Sequence, residues 1–229
     1  FTTLLLAIPL AAGAVLLSLI PISSKERPEP EPAASGGNGL WALPLAWAIA
    51  AFHFVHVGFE SGMGGWITTY SERVAGAPVT NLLSPTFLYF LFFVLGRALG
   101  PILFRYFNEN RAIVLGLVLV LVGLAIALSA SSTGQLSLGS IITGIGTSWI
   151  FPTNVSRFYN SFGPEAARKA TPLFICGTIG ATAVTWGIGA VSSLTGDLSY
   201  GMLVLVAAVV LLFGLQAVIV TIAGRRKQA

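Results

Sequence analysis

Two histidines and a carboxylate lie close together in the run Phe52-His53-Phe54-Val55-His56-Val57-Gly58-Phe59-Glu60-Ser61-Gly62-Met63-Gly64-Gly65-Trp66. His53, His56 and Glu60 follow an i, i+3, i+7 spacing, which puts them on one face of a helix. Histidine changes charge near neutral pH, so a helical stripe of this composition is suited to relaying protons. An ionised Glu60 can bind a cation or a sugar hydroxyl, and a protonated one can release a proton and recover it. The bland reading is that the histidines bond neighbouring helices and Glu60 pairs with a buried donor. Trp66 either stacks on a sugar ring or anchors the helix at a membrane interface. No cofactor is implied, and two histidines with one glutamate on a single face are too few ligands for a metal site.

A second polar run reads Gly144-Ile145-Gly146-Thr147-Ser148-Trp149-Ile150-Phe151-Pro152-Thr153-Asn154. Pro152 lacks a backbone donor and is expected to kink its helix. Thr147, Ser148 and Asn154 offer hydrogen bonds to a polar solute. Gly58, Gly62, Gly64 and Gly65 suggest either a hinge lining a water-filled cavity or tight helix packing through small residues. Gly177, Gly180, Gly187 and Gly189 signal close packing. Cys176 is a lone cysteine in an apolar run, so no internal disulfide forms.

The elements that carry these groups follow from composition. Of 229 residues, 55% are apolar and 9% charged, with a mean hydropathy of +0.86. A soluble domain carries roughly 25% charged residues to keep its surface wet. This chain cannot, so most of its surface faces lipid. Seven stretches reach the roughly 20 apolar residues that a spanning helix needs: about 1–21, 40–70, 82–106, 111–130, 136–157, 170–194 and 200–223. Ser23 to Gly39, with Glu29, Glu31 and their interleaved prolines, reads as an extended solvated linker. The net charge of +4 does not signal nucleic acid, because the basic residues sit at helix ends.

Basic residues flanking a span favour the cytoplasm. With Arg225, Arg226 and Lys227 inside, alternating crossings bring eleven of the twelve Lys and Arg to that side and leave Arg73 outside. The chain starts at Phe1 rather than Met, and an N-terminal part is expected to precede it.

These residues resemble the C-terminal half of a major facilitator superfamily transporter. Gly58 to Trp66 is similar to the seventh helix of its fucose-permease-like sugar:proton symporters. Leu95-Gly96-Arg97-Ala98-Leu99-Gly100-Pro101 through Arg105 and Arg111 is similar to the basic cytoplasmic connection after the eighth helix, with Phe104 where the family has an acid. Gly144 to Pro152 and Gly177 to Gly189 resemble the tenth and eleventh helices. The resemblance implies an all-α transmembrane bundle: 1–21 as the last helix of a missing N-terminal six-helix bundle, 22–39 as a cytoplasmic linker, 40–224 as a six-helix bundle and 225–229 as a basic cytoplasmic tail. It implies a solute site with Glu60 and Asn154 as contributors and a gating role for the connection with Arg97, Gly100, Arg105 and Arg111; the residue reading adds His56, His53 and Trp66 to solute and proton binding and Pro152 to gating. The expected partners are a small solute, H+ and the lipid of a bacterial inner membrane, with alternating access by rocking of the two halves.

Other classes fit less well. An intramembrane serine protease needs its histidine on a different helix from its serine, whereas His53, His56 and Ser61 share one. A retinal-type receptor needs a lysine inside the bundle, and Lys25, Lys169 and Lys227 all sit at the edge. The chain is therefore read as a transporter and not an enzyme. A scaffold or sensor built on the same fold is the remaining rival.

Overall fold

A computed structural model describes residues 39–76, 84–104 and 106–226, all within the compact unit Asn38–Ala229. The expected first span, the linker up to residue 38, Arg105 and residues 227–229 lie outside the described residues.

The described chain is helical throughout. A 3-10 turn at Leu40–Ala42 leads into α1 (Pro44–Ala75), followed by α2 (Pro85–Leu103), α3 (Glu109–Leu128), α4 (Thr133–Ser148), α5 (Ile150–Phe162), α6 (Pro164–Lys169), α7 (Thr171–Thr195) and α8 (Leu198–Arg226). Local chemistry sets the boundaries. Pro44 opens α1 at a position where its missing N–H costs nothing. That helix ends at Gly76, whose φ of 68° suits a residue with no Cβ. The Asn108 side chain accepts the Arg111 N–H to cap α3, and Ser132 accepts the Gln135 N–H to cap α4. Asp197 caps α8 by accepting the Ser199 N–H at 2.8 Å.

Every apolar stretch expected from residue 40 onward holds a helix. Three of these helices are long and apolar enough to cross a membrane: Glu109–Leu128, Thr171–Thr195 and Leu198–Arg225. Large apolar side chains stand outward on them and on α2, among them Val94 (61% exposed), Val210 (61%) and Trp186 (73%). Apolar surface on this scale marks a face meant for something other than water.

Two expectations concern the course of the backbone. The run 144–154 bends as the proline predicts, with the break three residues before Pro152. It divides at Trp149 into α4 and α5, and Pro152 is the third residue of α5. Of the two alternatives for the glycines of 58–65 the structure shows the packing one, since α1 is unbroken from Pro44 to Ala75. A Cβ on Gly58 would come within 2.7 Å of the Gly180 carbonyl oxygen, and one on Gly180 would run into the Phe54 carbonyl, so α1 and α7 meet backbone to backbone. The same device joins α3 to α4, where Gly116 faces Gly146 and Gly123 faces Gly139. The core between the helices is aliphatic and aromatic, with Phe52, Phe59 and Met63 of α1, Leu117 and Leu124 of α3, and Leu205 and Leu212 of α8.

Candidate functional site

The stripe shares one face of α1, as its i, i+3, i+7 spacing requires, and that face meets α2, α5 and the start of α7. Glu60 Oε1 lies 3.5 Å from Arg97 Nη2, and Glu60 Oε2 lies 3.7 Å from His56 Nε2. Both separations suit charge pairing but are long for hydrogen bonds. The Glu60 and Arg97 side chains are 26% and 39% exposed, whereas His56 is 1% exposed. The pair is thus open to its surroundings on one side and closed by His56 on the other.

Arg97 does more than pair with Glu60. Its Nε donates to the Ser148 carbonyl at 3.1 Å. Its guanidinium lies over the Phe93 ring at 4.2 Å and 5.6 Å from the centroid of Phe151. Stacking on aromatic faces suits a planar, weakly hydrated guanidinium.

About two turns before Glu60, the His53 ring packs on Phe151 at 5.0 Å and edge-on to Phe174 at 5.9 Å. It also lies over Gly177, where a Cβ would be 2.9 Å from the ring. Asn154 follows on α5, buried, with Nδ2 donating to the Ile49 carbonyl at 3.3 Å. Tyr89 of α2 is fully buried beside Thr147 and within electrostatic reach of Glu60 and Arg97. Several polar atoms here have no hydrogen-bond partner among the described residues: His53 Nδ1, both His56 nitrogens, Glu60 Oε2, Tyr89 Oη and Asn154 Oδ1. Each would cost about 1–3 kcal/mol if left dry. A cluster of them marks a place for water or a polar ligand.

The other expected site residues sit elsewhere. Trp66 turns to α7, donating Nε1 to the Thr185 carbonyl at 3.0 Å with its ring against Gly189. Pro152 is exposed on α5, Gly100 is buried near the end of α2, and Arg111 is exposed in the first turn of α3. Arg97 departs most from the sequence reading, which placed it in the cytoplasmic connection. Arg97 belongs instead to the Glu60 cluster. Tyr89 and the two phenylalanines were not anticipated, and Ser148, expected to offer a hydrogen bond to a solute, instead holds Arg97 through its carbonyl. One signal for Arg97 was available: it is the only charged residue within Pro85–Leu103, as Glu60 is the only acid between Pro44 and Ser71.

Among the described residues, no group of three or more His, Cys, Asp or Glu is placed to hold a metal ion. No protein-family model, curated protein or solved structure matches the chain. Among the described residues, the fold and the site together define an all-helical arrangement with three helices long and apolar enough to cross a membrane and a charged cluster within the helix bundle.

Proposed function

We propose that this bundle is one half of a secondary transporter of the major facilitator type, which moves a small polar solute together with protons by alternating access. The observation that carries this reading is the half-open Glu60–Arg97 pair. A single charge at mid-membrane costs at least about 2.5–3.5 kcal/mol on insertion scales, so charges persist there when they face each other or a wet cavity. A pair that is only part-buried can be opened by a competing partner.

In the proposed cycle a proton on Glu60 cancels its charge and frees Arg97, which keeps its bond to the Ser148 carbonyl. The freed guanidinium, the Tyr89 hydroxyl and the Asn154 amide then offer donors and acceptors to solute hydroxyls. Loss of the proton restores the pair and displaces the solute. His56, in contact with Glu60, passes the proton along α1. A sugar is the first solute to try, from the likeness to fucose-permease-type symporters. Seven spans, a cytoplasmic C-terminus and an inner-membrane location belong to the same proposal.

The test is uptake by vesicles containing the complete gene product, with an imposed proton gradient and a panel of labelled pentoses and hexoses. The expected result is accumulation with matching alkalinisation outside. Glu60→Gln should exchange solute across the membrane yet fail to concentrate it. A Glu60→Gln protein that still accumulates solute would remove the coupling role. No uptake of any solute would favour the scaffold reading.

A further inference from the structure

A second polar cluster lies away from the Glu60 site, where α3, α5 and α8 converge, and the sequence reading did not single it out. Arg157 of α5 is 5% exposed. Its Nη2 donates to Gln216 Oε1 at 2.9 Å and to Asn110 Oδ1 at 3.2 Å, and Gln216 Nε2 donates to the same Asn110 oxygen at 3.2 Å. Both acceptors are neutral amides. Among the described residues no carboxylate comes within ion-pair distance of the guanidinium, and its Nη1 has no partner. A buried guanidinium bonded only to neutral acceptors, with the Glu109 carboxylate within electrostatic reach but beyond ion-pair distance, keeps a donor for a further anion.

There is room for one. Arg157 lines a cavity of about 430 Å³ with Glu109, Asn110, Asn160, Leu45 and Ile219. The cavity shares Asn110 and Val220 with a groove of about 830 Å³ between α3 and α8, walled by Val114, Val118, Phe213 and Ala217 with Arg111 beside it. Both helices are long and apolar enough to cross a membrane, and Val114, Val118 and Val220 are each at least 40% exposed. The groove therefore lies on the outer face of the bundle. A cationic head site opening into an apolar trough matches a phospholipid, with its phosphate at Arg157 and an acyl chain along α3 and α8.

We propose that this site binds a phospholipid with net negative charge through its phosphodiester. Glu109 refines the choice. Its Oε1 is held by Asn160 at 2.7 Å and Ser156 at 3.3 Å on the wall of the same cavity. A fixed carboxylate there repels a dianion, so a singly charged phosphodiester is preferred to a phosphomonoester. The proposal needs the helices to lie in a membrane but does not depend on solute transport.

The experiment measures thermal unfolding of the complete, delipidated protein in detergent while phosphatidylglycerol, phosphatidylcholine or inorganic phosphate is titrated. Phosphatidylglycerol should raise the midpoint at the lowest concentration. Arg157→Gln should raise the concentration for half effect about tenfold, as expected for the loss of a charge-assisted contact. Ala223→Phe, which fills the cavity from α8 and leaves the guanidinium network in place, should do the same if Arg157→Gln proves unstable. Inorganic phosphate as effective as phosphatidylglycerol would overturn the lipid in favour of a free anion. An equal response to phosphatidylcholine, or an unchanged response in both variants, would overturn the site.

Discussion

Arg97 bonds the one carbonyl that Pro152 leaves without its helical donor. In an unbroken helix the Ser148 oxygen would accept the N–H of the residue four positions on. That residue is Pro152, which has none, and Arg97 Nε from α2 takes its place at 3.1 Å. The break between α4 and α5 and the position of Arg97 beside Glu60 are two sides of one arrangement.

This relationship predicts a coupling. Arg97→Lys keeps the charge but loses the planar fork, and should destabilise the protein by about 1–3 kcal/mol, the usual worth of a hydrogen bond to a charged group. Pro152→Ala restores a backbone donor near Ser148. In a double-mutant cycle on thermal or denaturant unfolding, Pro152→Ala should offset part of the Arg97→Lys loss. Strict additivity would show that the Pro152 gap and the Arg97 bond are unrelated.

Gly180→Ala pushes a methyl into the Phe54 carbonyl and should cost about 1–3 kcal/mol, as overpacking does. Gly214 in α8 has nothing within 4 Å of its would-be Cβ. Gly214→Ala should therefore be neutral or stabilising, by up to about 1 kcal/mol of helix propensity. Unfolding midpoints of the two variants should move in opposite directions or, at the least, differ clearly.

Trp66→Phe separates fastening from solute stacking. The ring against Gly189 remains and the bond to the Thr185 carbonyl goes, so stability should fall by about 1 kcal/mol. The uptake KM should not change. A raised KM at unchanged stability would place Trp66 at the solute instead.

Asp197 supplies a pH prediction. The Ser199 backbone and side chain donate to its carboxylate, and hold its pKa below the ordinary carboxylate range. A depressed native pKa gives stability that is present above the unfolded-state value and lost as pH falls through the native one. Asp197→Asn keeps a neutral cap, so the difference in unfolding midpoint between wild type and variant should shrink on acidification. A difference that stays constant from neutral to strongly acidic pH would rule out the charged cap.

Apolar run length alone marked out α3, α7 and α8: stretches read at 111–130, 170–194 and 200–223 meet helices at Glu109–Leu128, Thr171–Thr195 and Leu198–Arg226. Hydropathy was less informative at α1, which continues through polar Ser71, Glu72 and Arg73 to Ala75, because backbone bonding does not stop where lipophilicity does. The His53, His56 and Glu60 stripe was legible because helical spacing fixes it. The approach of Arg97 and Tyr89 to Glu60 was not, because it depends on how separate helices cross, and no local spacing encodes that. The Gly58–Gly65 run left two readings open for the same reason: close approach by α7 and a break in α1 leave identical letters in the sequence.

The two flanks of α1 differ in stiffness. Towards α7 it rests main chain on main chain where Gly58 and Phe54 meet Gly180, with the Val184 side chain packed alongside. Towards α2 it is joined by the Glu60–Arg97 pair, the Phe90 ring over Gly64 and a hydroxyl pair, Thr68 and Thr86, at 2.8 Å. Side chains can turn where peptide planes cannot. A push on Glu60 therefore carries α1 and α7 together as a single beam, and the slack is taken up along the Arg97 side.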